Sequence, residues 1–456
     1  QPEEAVQRQP NFVVIFCDDL GYADLGAYGH PTISTPHLDR MAWEGQRWTS
    51  FYTGASVCTP SRAALLTGRL PIRSGMCSSQ RRVLFPDSRG GLPQEEVTIA
   101  EALRDEGYAT GCIGKWHLGH LSPYHPDQHG FDYYFGVPYS NDMDRVNDSP
   151  HGRAAFNDPV SEYWNLPLYR NRSLLERPVD QNTLTRRYTE EAVGFIEEHQ
   201  DQPFFLYLAH SMVHVPLFRS AEFVDMSRRG LYGDVVEELD WSTGEILKSI
   251  KRLGLDRNTL VVFTSDNGPW LTFRQQGGSA GLLHYGKGST WEGGMRVPAI
   301  FWGPGIVEPG VIMDPGTTMD LFPTFVEMAG GEMPDDRIMD GSSLSASLTE
   351  KAGNQRDTVF YYRGEEVWAV RKGPFKAHFI TRSGYENDDP VRWDPPRLHN
   401  LETDPSEKFN IAESQPEVID EILEILEAHR AELVRGDDQL AERLEEDRLQ
   451  ETWAAE

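Results

Sequence analysis

A chain of 456 residues, 39% hydrophobic and 25% charged, has the make-up of a globular protein with a large core, and no apolar run approaches the roughly 18 residues of a membrane span. Its formal charge of −28 argues against a nucleic-acid partner, because phosphate binding needs a basic face to displace counterions. Cys17, Cys58, Cys77 and Cys112 have neither the density of a disulfide scaffold nor zinc-finger spacing.

In chain order, four short apolar runs end abruptly in polar residues: "NFVVIFCDD" (11–19), "YATGCIGKWH" (108–117), "PFFLYLAHSMVH" (203–214) and "NTLVVFTSDN" (258–267). Unbroken Val, Ile, Leu and Phe predict strands covered on both faces. Helical spacing marks 98–108, 185–200 and 235–254, so the pattern predicts a doubly wound α/β domain. Ligands of such sheets bind at the carboxyl ends of the strands, where all four polar endings fall. Residues 270–310 read as glycine-rich loop. Beyond about residue 350 the pattern changes to short strands (358–381) and an amphipathic helix (416–434, with Val418, Ile422, Ile425, Leu426 and Leu433 on one side), a smaller antiparallel sheet carrying one helix. We therefore expect two units, 1–350 and 351–456. Residues 401–456 hold 18 acidic against 5 basic side chains, and 437–456 read as a solvated helix or frayed tail.

Asp18 and Asp19 close the first strand and Asp266 and Asn267 the fourth. If those strands are neighbours, three carboxylates meet, and each pair about 4 Å apart repels by about 4 kcal/mol at an effective dielectric of 20. Such a cluster takes up protons or a hard divalent cation, with flexible carboxylates favouring Ca²⁺ over Mg²⁺. Lys115, His117, His214 and Lys287 lie at neighbouring strand ends or in the glycine-rich stretch. Cations beside a metal suggest an anionic ester as substrate.

The stretch "VCTPSRAALLTGR" (57–69) predicts a short helix with Pro60 in its first position, Cys58 or Thr59 as its cap and Gly68 as its stop. At a helix mouth a thiol's pKa is lowered, yet this setting alone leaves Cys58 open between packing and chemistry.

The motif "CTPSRAALLTGR" resembles the maturation motif of the type I sulfatases, whose C-x-P-S-R cysteine is oxidised to formylglycine. "DDLGYADLGAYG", "GKWHLGH", "HGFDYYFG", "FTSDNG", "GKGSTWEGGMRVPAIFW" and "MDLFPT" follow in the family's order, and the likeness, which is to the arylsulfatase A and N-acetylgalactosamine-6-sulfatase branch, runs over roughly 11–430. It implies an alkaline-phosphatase-like α/β fold, a large mixed sheet sandwiched by helices. It implies one Ca²⁺ held by Asp18, Asp19, Asp266 and Asn267, with Cys58, as formylglycine, beside it. Arg62 would hold the formylglycine hydrate, Lys115 and Lys287 grip sulfate oxygens, His117 manage the hydrate's proton and His214 serve the leaving oxygen. His284 and Trp270 are further candidates for the substrate pocket.

The resemblance thus implies a sulfate-ester hydrolase acting on aryl or carbohydrate sulfates and matured by a formylglycine-generating or other sulfatase-maturing enzyme. The alternatives are a phosphonate or phosphate monoester hydrolase, for which no second ligand set is evident, and a non-catalytic binder of sulfated glycans, against which the complete residue set speaks. No membrane partner is expected. Gln1 in first position fits signal-peptide removal and trimming equally, and a periplasmic or secreted location is the expectation.

Overall fold

The computed structural model describes residues 9–354 and 356–445. Eleven strands form one large sheet: β1 (Asn11–Cys17), β2 (Gln46–Tyr52), β3 (Ala109–Lys115), β4 (Tyr133–Val137), β5 (Leu168–Arg170), β6 (Ser173–Glu176), β7 (Phe204–Ala209), β8 (Thr259–Ser265), β9 (Arg296–Trp302), β10 (Gly310–Ile312) and β11 (Gly316–Thr317). Their order is β10-β2-β9-β8-β1-β7-β3-β4-β5-β6, with β11 also on β2. β8, β1, β7, β3 and β4 run parallel, whereas β9 is antiparallel to both its neighbours.

Every residue of β1 is buried, and alternate side chains serve opposite layers. Val13 and Ile15 pack with residues of helices Leu184–Glu198 and Leu231–Arg252. Phe12, Val14 and Phe16 pack with residues of helices Cys58–Thr67, Ile99–Asp105 and Leu321–Ala329. The four predicted strands are thus β1, β3, β7 and β8, side by side at the sheet's centre. Helix Ile99–Asp105 begins with a reciprocal cap between Thr98 and Glu101, whose side chains each accept from the other's amide.

β12 (Thr358–Arg363), β13 (Glu366–Lys372), β14 (Phe375–Thr381) and β15 (Val391–Asn400) form an antiparallel sheet, on which helix Pro416–Glu432 lays Ile419, Ile422 and Leu426. Ala64, Leu70 and Ile72 join that cluster, so the smaller sheet buttresses the segment that follows Cys58.

Two readings need correction. Residues 270–310 are not all loop, because "RVPAIFW" forms β9, fully buried between β2 and β8. Nor do residues 437–445 fray. Gly436, Gln439 and Leu444 donate amides to the carbonyls of Ile72, Gly75 and Asp87, and the Leu440 side chain is wholly buried in the main core. Gly75 and Gly90 let that segment pass, since a Cβ at either would lie within about 2 Å of the Asp437 or Gln439 carbonyl oxygen. The remainder of the acidic tail, 446–456, lies outside the described residues.

Candidate active site

Strand register builds the acidic half of the site. Cys17 pairs with Ser265 across β1 and β8, so the next residues, Asp18 and Asp266, emerge side by side. The Asp266 amide donates to the Cys17 carbonyl at 3.0 Å and the Asp19 amide to Asp266 Oδ1 at 3.1 Å. Asp19 takes a left-handed backbone (φ 61°), a region that Asp tolerates better than most residues. Asn267 donates from Nδ2 to Asp19 Oδ1 at 2.8 Å, leaving its own Oδ1 buried without a partner.

Helix Cys58–Thr67 brings the thiol. Val57 is its N-cap and Gly68 (φ 67°) its left-handed stop, so Cys58 is the first helical residue and Pro60 the third. The prediction was offset by two positions; proline is still accommodated, because amides of the first turn have no helical acceptor. Cys58 Sγ lies 3.4 Å from Asp18 Oδ1. One turn on, the Arg62 guanidinium lies 5.4 Å from the centre of the Phe16 ring and donates from Nε and Nη2 to Asp266 Oδ2 at 3.1 and 2.8 Å. Its Nη1 donates to the Lys115 carbonyl.

The end of β3 and the loop between β8 and β9 supply the remaining cations. Lys115, at the end of β3, donates to Asp18 and to Ser140 Oγ. Lys287 donates to Asp19 at 2.7 Å to Oδ1 and 2.9 Å to Oδ2. His214 points Nε2 towards Asp19 Oδ2, 3.7 Å away, while its Nδ1 lies 2.6 Å from the Val215 carbonyl and 3.1 Å from Asn141 Oδ1. His117 pairs Nε2 with the Leu84 carbonyl at 2.8 Å, and its Nδ1 is buried without a partner. A proton on Nε2 leaves Nδ1 as a free base.

Eight of the predicted groups therefore contact one another directly: Asp18, Asp19, Cys58, Arg62, Lys115, Asp266, Asn267 and Lys287. His214 completes the ring, and Thr59 donates to the His117 carbonyl beside it. Trp270 also joins, its ring 4.3 Å from Lys287 Nζ and 5.3 Å from the His214 ring. His284 does not. It packs on Trp291 and Tyr285, and its charged neighbours are Glu407, Arg397, Lys376 and Asp404, at the junction with the smaller sheet. Sequence reading missed Ser140 and Asn141, although "VPYSND" after β4 is one more apolar strand with a polar ending.

Burial would raise all three carboxyls. Lys115, then His214 and Arg62, hold Asp18 well below the usual range, whereas burial outweighs Lys287 and lifts Asp19 to about 7. Asp266 rises through burial and the nearby Asp18 charge. Burial and then Lys287 keep His214 well below the ordinary histidine value, and burial and then Lys115 do the same for His117. The site thus resists holding three anions unaided. That resistance, the orphaned Asn267 Oδ1 and the oxygen-rich donor set fit a bound divalent cation. Ligand atoms of Asp18, Asp19, Cys58 and His214 all lie within 4.8 Å of one another, so this buried cluster can hold a metal ion.

Residues 10–331 match the sulfatase family, and residues 354–455 match the C-terminal region of aryl-sulfatase. The chain belongs to the sulfatase family. It is 42% identical to arylsulfatase A of Homo sapiens, over 93% of this chain and 89% of that protein. It is 39% identical to N-acetylgalactosamine-6-sulfatase of Canis lupus familiaris, over 95% and 88%. The crystal structure of PsFucS1 sulfatase from Pseudoalteromonas sp. superposes with a TM-score of 0.82 at 29% identity, covering 93% of this chain and 90% of that one. Ps i-CgsB in complex with k-i-k-neocarrahexaose superposes at 0.78 with 30% identity, covering 92% of each. This member of the family is a sulfate-ester hydrolase of the arylsulfatase type.

Proposed function

We propose that this sulfatase works through a formylglycine hydrate made from Cys58, beside one Ca²⁺, on the sulfate esters of saccharides or aryl alcohols. The observation that carries the reading is the seat of Cys58. Sγ lies 3.4 Å from Asp18 at the mouth of a fully buried helix, and no histidine hydrogen-bonds it among the described residues. Burial, then the charges of Asp18 and Asp266, also push the Cys58 thiol well above its usual value, so the setting disfavours the thiolate that a cysteine nucleophile uses. A hydrated aldehyde at residue 58 supplies one hydroxyl to attack sulfur and a second whose deprotonation expels sulfate and restores the carbonyl.

Asp18, Asp19, Asp266 and Asn267 would hold the ion, and Ca²⁺ there supplies positive charge to the sulfuryl oxygens and acidity to the attacking hydroxyl. Three carboxylates already face three cations, Arg62, Lys115 and Lys287. A divalent ion leaves the pocket net positive, as an anionic ester requires. Lys115 and Lys287 then turn to the sulfuryl oxygens, and Arg62 orients the hydrate. With Nδ1–H held by the Val215 carbonyl, His214 takes a proton on Nε2 when the anionic ester fills the pocket and passes it to the departing oxygen, and His117 Nδ1 takes the proton from the second hydroxyl. Trp270 offers a ring face to the sugar or aryl group.

Residues 1–350 act in this reading as the catalytic unit and 351–456 as its C-terminal support. A strongly acidic surface suits a periplasmic or secreted enzyme, matured by a formylglycine-generating or other sulfatase-maturing enzyme. Phosphate dianions are better served by a second metal, and Asp18, Asp19, Cys58 and His214 form the single potential metal cluster among the described residues. Mass spectrometry of the peptide spanning residue 58 tests the proposal. The aldehyde is expected in active enzyme, and a fully active protein whose Cys58 is an intact thiol overturns it.

A further inference from the structure

Outside the sulfuryl pocket, three ring contacts lead from it to a group of arginines. Lys287 Nζ lies over Trp270, Trp270 packs on Tyr385 with ring centres 4.7 Å apart, and the Arg82 guanidinium lies 4.3 Å from the centre of the Tyr385 ring. Gly288 makes this approach feasible. Its φ is +80°, and a Cβ there would stand 2.9 Å from the Tyr385 ring and 3.2 Å from Arg82 Nη1. Arg82 therefore reaches the backbone just after Lys287. Ser56, Val57, Arg82, Gly288, Arg363 and Gly364 line one cleft, and Ser56 and Val57 immediately precede Cys58.

These guanidiniums are poorly compensated. Arg82 donates to the Gly384 carbonyl at 3.4 Å, and Arg363 to the carbonyls of Ser383 and Gly384 at 3.2 Å each. Among the described residues no carboxylate comes within ion-pair distance of either, and their neighbour Arg382 has only Asp388, at 3.6 Å. Burial, then Arg82 and Arg382, pull Arg363 down to about 10, still charged at neutral pH. In a chain with 71 acidic against 43 basic residues, two half-buried arginines without an acidic partner point to an anion from elsewhere. The planar guanidinium fork suits the oxygens of sulfate or carboxylate.

We propose that Arg82 and Arg363 form a second anion subsite, which takes a further sulfate or carboxylate group of the substrate, so that the enzyme prefers polyanionic saccharides to singly sulfated esters. This deepens the sulfatase reading and rests on it for the orientation of the bound ester.

The Cys58→Ala protein separates binding from turnover. By calorimetry in calcium-containing buffer, it is expected to bind a disulfated disaccharide at least about tenfold more tightly than the same sugar with one sulfate. Arg82→Ala combined with Arg363→Ala should abolish that advantage, and added salt should shrink it. A singly sulfated disaccharide bearing a uronate identifies the second anion: a gain there, lost in the double variant, assigns carboxylate, and a gain confined to the disulfated sugar assigns sulfate. Equal affinity for all three sugars, or an advantage that survives the double substitution, overturns the proposal. In the otherwise native enzyme, the ratio of kcat/KM for the disulfated sugar to that for nitrophenyl sulfate should fall at least about tenfold on Arg82→Ala; equal losses on both would reveal a merely structural arginine. A thiol at residue 58 in active enzyme would defeat the formylglycine reading and leave the calorimetric result intact.

Discussion

Arg62 and Asp266, from a helix and a neighbouring strand end, are joined by two hydrogen bonds to one carboxylate oxygen, and both side chains are wholly buried. Removing the guanidinium leaves buried carboxylates unpaired, a loss of about 3–5 kcal/mol. Arg62→Ala is expected to lower the midpoint of urea unfolding accordingly, and Arg62→Lys to recover only part, because an ammonium cannot match the fork. Unchanged stability in Arg62→Ala would show that the pair is not the clamp between β8 and helix Cys58–Thr67.

Calcium should stabilise the fold whether or not residue 58 has been converted. At a concentration 100 times Kd, an ion that binds only the native state adds about 2.7 kcal/mol. Chelation should lower the melting temperature, Ca²⁺ should restore it, and Asp19→Asn should blunt the response. A melting temperature indifferent to chelator and to added Ca²⁺ would count against the ion site.

Acid should loosen the junction between the two sheets. Glu292 accepts from Tyr52, Tyr361 and Lys376, and although burial would raise its carboxyl, Lys376, Arg296 and Arg371 hold it well below 4.5. A depressed carboxyl contributes stability above its unfolded value and loses it as pH falls through the folded one. Stability owed to Glu292 should therefore decline below about pH 4.5. Glu407, raised chiefly by burial, works in the opposite sense. Comparing thermal melts of wild type and Glu292→Gln at pH 7 and pH 3 should show a penalty that shrinks in acid; a constant difference would contradict this.

Much of this architecture was legible in the sequence. β1, β3, β7 and β8 announced themselves because strands buried on both faces read as unbroken apolar runs, and their polar endings marked the site. β9 did not, because its seven residues lie among glycines and loops, and β15 carries Pro395 and Pro396, which an edge strand tolerates at the cost of its pattern. The offset at Pro60 arose because proline fits any position of a first turn, not the first alone. Ser140 and Asn141 were hidden for another reason: a short polar loop reveals its target only when Lys115 and His214 are in place. The resemblance rather than spacing singled out Cys58, since a buried thiol at a helix mouth is ordinary packing.

The segment 436–445 should behave as part of the core despite the charge around it. Leu440 is wholly buried, so Leu440→Ala is expected to cost about 2–5 kcal/mol. Proteolysis after that substitution should release the C-terminal peptide early. Resistance equal to wild type would mean that the backbone contacts to Ile72, Gly75 and Asp87 suffice alone.

Only 2% of the Cys58 surface meets solvent, and all ten residues of its helix are enclosed. Another enzyme's active site cannot close around a residue so placed. If residue 58 is oxidised as proposed, that burial requires oxidation to precede folding, and a molecule that collapses first keeps its thiol. On that reading, the share of working enzyme follows the share of chains oxidised before they close.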